Sequence, residues 1–217
     1  MGSRPAVLLP ACAALALLTA LSVEAAAIEA LVRDASGKPL ADAVVYATPA
    51  SGPVEARAAK TVDVQQVDRE FVPYVSVIQT GTQVAFPNRD PIQHHVYSFS
   101  PAKPFEIKLY TGRPPGEVRF DRPGLVTLGC NIHDWMIAYI LVVSTPHFAR
   151  TDEHGAARLR ELPAGAYELR VWHPGQRAAV EPATVTLDAQ GRHEAAYVID
   201  VVPRKPRFKP PLDRLKY

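Results

Sequence analysis

Sulfur is scarce in this chain. Its 217 residues include two cysteines and two methionines, and Met1 and Cys12 stand at the extreme N-terminus, which leaves Cys130 and Met136 as the only sulfur in the remainder. One thiol cannot form an internal disulfide, so the usual reason for a cysteine in an oxidising compartment is excluded. A large excess of either charge is missing too. The 24 Lys and Arg residues against 22 Asp and Glu leave a formal net charge of +2, too little for a nucleic-acid surface, and no basic platform interleaved with aromatics is present. Neither a phosphate-cradling glycine loop nor a G-x-S-x-G elbow occurs, so the common signatures of nucleotide-dependent and serine-nucleophile enzymes are absent. With 47% hydrophobic and 21% charged residues the composition is that of an ordinary globular protein.

Long apolar runs are absent except at the start, MGSRPAVLLPACAALALLTALSVEAAA. Arg4 begins it, an apolar stretch follows from about Ala6 to Leu21, and Ala25, Ala26 and Ala27 close it. This is the pattern of a secretory signal peptide, and cleavage is expected after Ala27. The run is short for a membrane span and stops at Glu24. An exported, periplasmic protein with no membrane span after cleavage is therefore expected. Leu9-Pro10-Ala11-Cys12 faintly resembles a lipoprotein box, but the apolar run continues past Cys12.

The remaining sulfur lies in one stretch, LGCNIHDWMIAYI, where Cys130, His133 and Met136 follow one another at intervals of three. Before it, Val126, Leu128 and Cys130 alternate as on one face of a strand, and IAYILVV after it reads as the returning strand. The segment between is a tight loop that can aim three donor side chains at one point. A buried free cysteine acting as a small hydrophobe is the alternative. A soft thiolate, an imidazole and a weak thioether suit copper cycling between Cu(I) and Cu(II), with a second histidine completing the set. Structural zinc would call for more cysteine or histidine.

A second histidine is available upstream in VAFPNRDPIQHHVYSF, residues 84–99. With C-x₂-H-x₂-M, this segment resembles the cupredoxins, the small blue copper proteins, whose first histidine follows a V-x-F-x-N stretch; the short ligand loop is most similar to that of amicyanin. The resemblance spans about residues 60–143 and implies His94, Cys130, His133 and Met136 as ligands of one type 1 copper. His95 is the alternative to His94, although period-2 geometry sends the two side chains to opposite faces. The resemblance also implies supporting hydrogen bonds around the ligands, from Asn88 and from a pair linking the two ligand loops. This chain has His95 and Asn131 where the family usually has asparagine and serine or threonine, so an exchanged His95–Asn131 bond is expected. Ile132 replaces a frequent proline. Trp135 is either a docking ring for a partner or a ring packed on the loop, and Asp134 is expected to be a solvated charge. His147, His154, His173 and His193 lie outside the pattern and are expected to be solvent-exposed.

Beyond that stretch, residues 28–50 alternate Ile28, Ala30 and Val32, turn at Asp34-Ala35-Ser36-Gly37 and resume with AVVYA. Two strands alone bury no core. Further strands with turn signals follow the copper segment, among them Tyr167, Leu169 and Val171 alternating with Glu168, Arg170 and Trp172. VRDASGKPLADAVV and TDEHGAARLRELPAGAYELRV resemble the two halves of a carboxypeptidase regulatory-like domain, separated here by about a hundred residues. The expected fold is all-β: a cupredoxin Greek-key β-sandwich inserted in, or lying next to, a small Ig- or transthyretin-like β-sandwich. The expected organisation is a signal peptide at 1–27, the first part of the regulatory-like sandwich at 28–55, the cupredoxin domain at 56–146, the second part at 147–202 and a basic proline-rich tail at 203–217. A tandem layout, with residues 28–50 as the copper domain's first strands, is the alternative.

The resemblance implies a non-enzymatic one-electron carrier working between an exported dehydrogenase and a c-type cytochrome, with electron exit through an exposed edge of His133. The combined pattern is similar to methylamine utilisation proteins. Copper delivery and a metal-free interaction module are the other readings. A multicopper oxidase would need a His-Cys-His bridge, and Gly129 and Asn131 flank Cys130 instead.

Overall fold

The computed structural model describes residues 26–52, 54, 61–114 and 116–204. Residues 1–25 of the expected signal peptide, and the basic tail beyond Arg204, lie outside them. Ala26 and Ala27, the last two residues of the expected signal peptide, open the first strand here, buried opposite Leu162 and beside Arg192. Small apolar side chains satisfy a cleavage pattern and close packing at a sheet end equally well.

Among the described residues every regular element is a strand. β1 (Ala26–Asp34) and β2 (Val44–Pro49) come first. The middle of the chain supplies β3 (Val62–Asp63), β4 (Gln65–Val67), β5 (Glu70–Val72), β6 (Val75–Gln79), β7 (Gln83–Ala85) and β8 (His94–Ser98). It continues with β9 (Phe105–Tyr110), β10 (Val118–Arg119), β11 (Gly124–Gly129) and β12 (Ile137–Val143). Last are β13 (Phe148–Arg150), β14 (Ala156–Leu162), β15 (Gly165–Trp172), β16 (Ala183–Leu187) and β17 (Arg192–Ile199).

β1 lies between β14 and β17, and β2 between β13 and β15, with β16 at the edge. Both of these sheets therefore join strands from the two ends of the described chain. They enclose one core, in which Ile28, Val32, Val45, Leu159, Leu169 and Ile199 are fully buried or nearly so. The period-2 alternation that places Ile28, Ala30 and Val32 inward turns Arg33 to solvent.

The middle of the chain folds separately into a five-stranded sheet ordered β6-β12-β11-β8-β9, a three-stranded sheet ordered β10-β7-β3, and a hairpin of β4 and β5. Phe86, Phe120, Val96, Leu128 and Ile140 fill its core. Ile140 faces that core, while Leu141 and Val143 on the opposite face of β12 join a third cluster with Val44 and Val75. The uninterrupted apolar run IAYILVV follows from this, since a strand covered on both faces has no polar side.

The third cluster is the seam between the two sandwiches. Tyr46, Phe148 and Trp172 reach it from one side and Tyr74, Val77 and Tyr139 from the other. Tyr139 meets Tyr74 edge-on, with ring centroids 5.5 Å apart, and Trp172 at 6.1 Å. Trp172, on the outward face of a half-buried strand by sequence, is covered by the neighbouring unit. Arg204 extends the seam: its guanidinium lies 3.8 Å over the Tyr74 ring and 3.9 Å from Glu70 on the β4–β5 hairpin.

Candidate metal centre

The loop between β11 and β12 brings its donors together by turning twice. Asn131-Ile132 and Asp134-Trp135 form the corners, and the Met136 N–H closes the second turn on the His133 carbonyl at 2.8 Å. Residues three apart therefore return to one side of the loop. Cys130 Sγ lies 3.9 Å from His133 Nδ1, and Cys130, His133 and Met136 are all buried.

β8 supplies the upstream donor. His94 Nδ1 lies 3.9 Å from Cys130 Sγ, and one ligand atom each from His94, Cys130 and His133 falls within 4.8 Å of the others. His95, the alternative, points elsewhere. Behind His94, its Nε2 lies 2.7 Å from Asp90 Oδ2. A carboxylate can only accept, so Nε2 carries the proton and Nδ1 presents its lone pair to the cluster.

Asp90 is itself held in place. Its Oδ1 accepts the Asp68 N–H at 2.7 Å and its Oδ2 the Arg69 N–H at 2.8 Å. Asp68 and Arg69 are the turn residues of the β4–β5 hairpin, both at positive φ (52° and 58°), the mirror-image turn usually given to Asn and Gly. The two hydrogen bonds to Asp90 fix that conformation in residues that do not favour it. Burial pushes the Asp90 carboxyl up, but hydrogen bonds from Arg69, His94 and Asp68 outweigh it and hold the group below its ordinary range.

Burial likewise holds the His94 imidazole below its usual range against the pull of Asp90. His133 is lowered to about 4, by burial first and then by repulsion from His94 and Arg69. Both rings thus stay neutral near pH 7, the protonation state a metal requires of an imidazole.

Asn88 organises the loop before β8. Its Nδ2 donates to the carbonyls of Ile92 (2.8 Å) and Tyr110 (2.9 Å), and its Oδ1 accepts the Asp90 N–H at 2.9 Å. The expected His95–Asn131 bond is not made. His95 Nε2 lies 2.9 Å from Glu106 Oε1 on β9, its Nδ1 is buried without a partner, and Asn131 is exposed. The reason is positional: a register shift between His94 and Val96 turns His95 toward the neighbouring strand.

His133 also differs from expectation. Its relative exposure is 0%, so no edge of the ring reaches solvent. Trp135 covers it, with ring centroids 5.0 Å apart and the rings inclined at 50°, and Trp135 Nε1 donates to the Arg69 carbonyl at 3.2 Å. Asp134 is exposed. Of the histidines outside the cluster His154 is exposed, whereas His147, His173 and His193 are half-buried; His173 Nδ1 accepts the Gly175 N–H at 3.0 Å, and burial lowers its pKa.

Asp90, Glu106 and the Arg69 turn escaped the sequence reading. Asp90 carried a usable signal, a carboxylate four residues before a candidate histidine ligand. Arg69 carried none, because only the pairing of β4 with β5 brings it to the site.

The spacing of the donors is that of a shared ion. A metal at about 2.3 Å from sulfur and 2.0–2.1 Å from nitrogen separates these atoms by about 3.8 Å in a trigonal plane and about 3.5 Å in a tetrahedron. Both Cys130 to histidine separations are 3.9 Å, close enough for one ion to reach the thiol and both imidazoles.

No protein-family model matches the chain, and no curated protein matches it. Among solved structures, a Cu-containing nitrite reductase from Thermus scotoductus SA-01 is similar at 25% identity and a TM-score of 0.37, over 54% of this chain and 28% of that one. An amicyanin from Paracoccus versutus aligns at 17% identity and a TM-score of 0.34, covering 45% of this chain and 98% of its own. A purple cupredoxin from Nitrosopumilus maritimus aligns at 19% and 0.33, covering 39% of this chain and 100% of its own. The chain thus spans little more than a quarter of the nitrite reductase it matches.

Proposed function

We propose that this chain is a type 1 copper protein, held by His94, Cys130, His133 and Met136, that carries single electrons between exported redox proteins. The observation that carries this reading is the pair of 3.9 Å separations joining one buried thiol to two buried imidazoles. Copper in such a set supplies reversible one-electron chemistry at low cost in rearrangement. The chain's own residues do the rest. Asp90 fixes the His94 tautomer, Asn88 shapes the loop that precedes it, and the two turns of residues 130–136 hold Cys130, His133 and Met136 in register. His94, Cys130 and His133 are at most 3% exposed; this favours electron transfer, which needs no direct contact with the ligands, over bond-making on a bound substrate.

The partners follow from the same reading. An exported dehydrogenase as donor and a c-type cytochrome as acceptor, in a periplasmic setting, are what the resemblance of the ligand loop supports, and methylamine oxidation is its most specific form. The sheets that flank the copper unit are read as a carboxypeptidase regulatory-like domain serving as a scaffold. Among the described residues no helix is long and apolar enough to cross a membrane.

The test is the visible spectrum of the chain loaded with Cu(II), beside Cys130→Ser. An intense thiolate-to-copper band that reductant bleaches, and that the variant lacks, is the expected result. A spectrum indifferent to Cys130→Ser would refute the proposal.

A further inference from the structure

We propose that Trp135, rather than an edge of His133, is the electron portal of this protein. The inference rests on the copper reading above and adds the route by which the site meets its partner. His133 is completely covered, so a partner cannot touch the ring. Trp135 lies against it at a centroid distance of 5.0 Å and is itself part-exposed. The indole is fixed from two directions, by the turn closed from Met136 N–H to His133 O and by the bond from Nε1 to the Arg69 carbonyl. An aromatic ring held against a ligand ring on one side and part-exposed on the other bridges the cover.

A competing route starts from the other histidine of β8. His95, Tyr97 and Phe99 form a ladder with centroid distances of 5.6 and 5.0 Å, and Phe99 is 85% exposed. That ladder begins at a histidine whose Nε2 faces Glu106 rather than the ligand cluster. It is the weaker candidate on that ground. With copper held by His94, Cys130, His133 and Met136, one electron from the reduced partner would cross the Trp135 and His133 rings by tunnelling to reach the cupric state. No bond forms or breaks, no proton moves, and the indole is not left oxidised.

The two faces carry exposed charges that can be reversed, Asp134 beside Trp135 and Lys108 on the ladder side of β9. Reduction of the copper-loaded full chain by hexacyanoferrate(II), followed by stopped flow at low salt, reads both, because an anionic reagent responds to charge near its point of approach. Trp135→Leu is expected to slow reduction while the visible band and the midpoint potential stay in place. Asp134→Lys is expected to speed it and Lys108→Glu to leave it unchanged. An unchanged rate in Trp135→Leu with band and potential intact would overturn the proposal, as would a rate that follows Lys108→Glu and ignores Asp134→Lys. Absence of the band in the unaltered chain overturns the underlying copper reading instead, so the two failures are distinguishable.

Discussion

Asp90→Asn is the most informative change at the metal centre. The carboxylate takes three short contacts: the Asp68 N–H at 2.7 Å, the Arg69 N–H at 2.8 Å and His94 Nε2 at 2.7 Å. An amide offers one oxygen and one NH₂ group, so at least one of the three donors must face another donor. Losing one hydrogen bond to a charged group costs about 1.5–3 kcal/mol of folding stability. The effect on copper is separate. Without the carboxylate behind it the His94 ring is a weaker and less well-oriented donor, and loss of such a partner typically lowers metal affinity by about 10–100-fold, or about 1.4–2.8 kcal/mol. Urea unfolding of the metal-free protein measures the first quantity, and competition for copper against a chelator measures the second. Glu106→Gln is the contrast, since the His95–Glu106 contact has one side chain 56% exposed and such pairs contribute about 0–1 kcal/mol. An Asp90→Asn protein that binds copper as tightly as the unaltered chain would show that His94 is oriented without the carboxylate, and the reasoning from that contact would fail.

At the seam, Trp172→Ala removes a ring that packs on Tyr139 from the far sandwich. Because Trp172 is only partly buried, the expected loss is about 2–3 kcal/mol, below the range for a core tryptophan, and calorimetry should show the unfolding of the two units separating; a single unshifted transition would contradict the seam's role. The metal-free protein should also be acid-sensitive through His133. Its pKa falls from an ordinary 6.5 to about 4 on folding, so the unfolded chain binds the proton more readily, and the stability present above pH 6.5 declines as the pH falls toward 4. Urea midpoints measured at intervals across that window, with copper bound as the comparison, test the sign: a midpoint that rises on acidification would be wrong for a buried neutral imidazole.

The all-β character was legible because alternation and turn residues are local signals. Ile28, Ala30 and Val32, and likewise Tyr167, Leu169 and Val171, are buried at the spacing that marks half-covered strands. The grouping of Cys130 with His133 was legible for a related reason, since two tight turns are written within seven residues. What escaped depends on which strands become neighbours. His95 is turned to Glu106 by a register shift, and His133 loses its exposure to Trp135, which bonds a hairpin turn 66 residues upstream. Neither leaves a local mark. The start of the first strand at Ala26 left no mark of its own, since an alanine run fits a cleavage site and a buried strand alike.

The parallel pairing of β1 with β17 also orders events in time. The middle unit gathers its strands from Val62 to Val143 and can pair them as soon as that stretch is free. β1 needs both β14 and β17, the latter the last strand described, so loop closure over most of the chain must precede completion of its sheet, and contacts so distant in sequence form slowly. The N-terminal strand is therefore expected to complete its pairing after the middle unit has assembled.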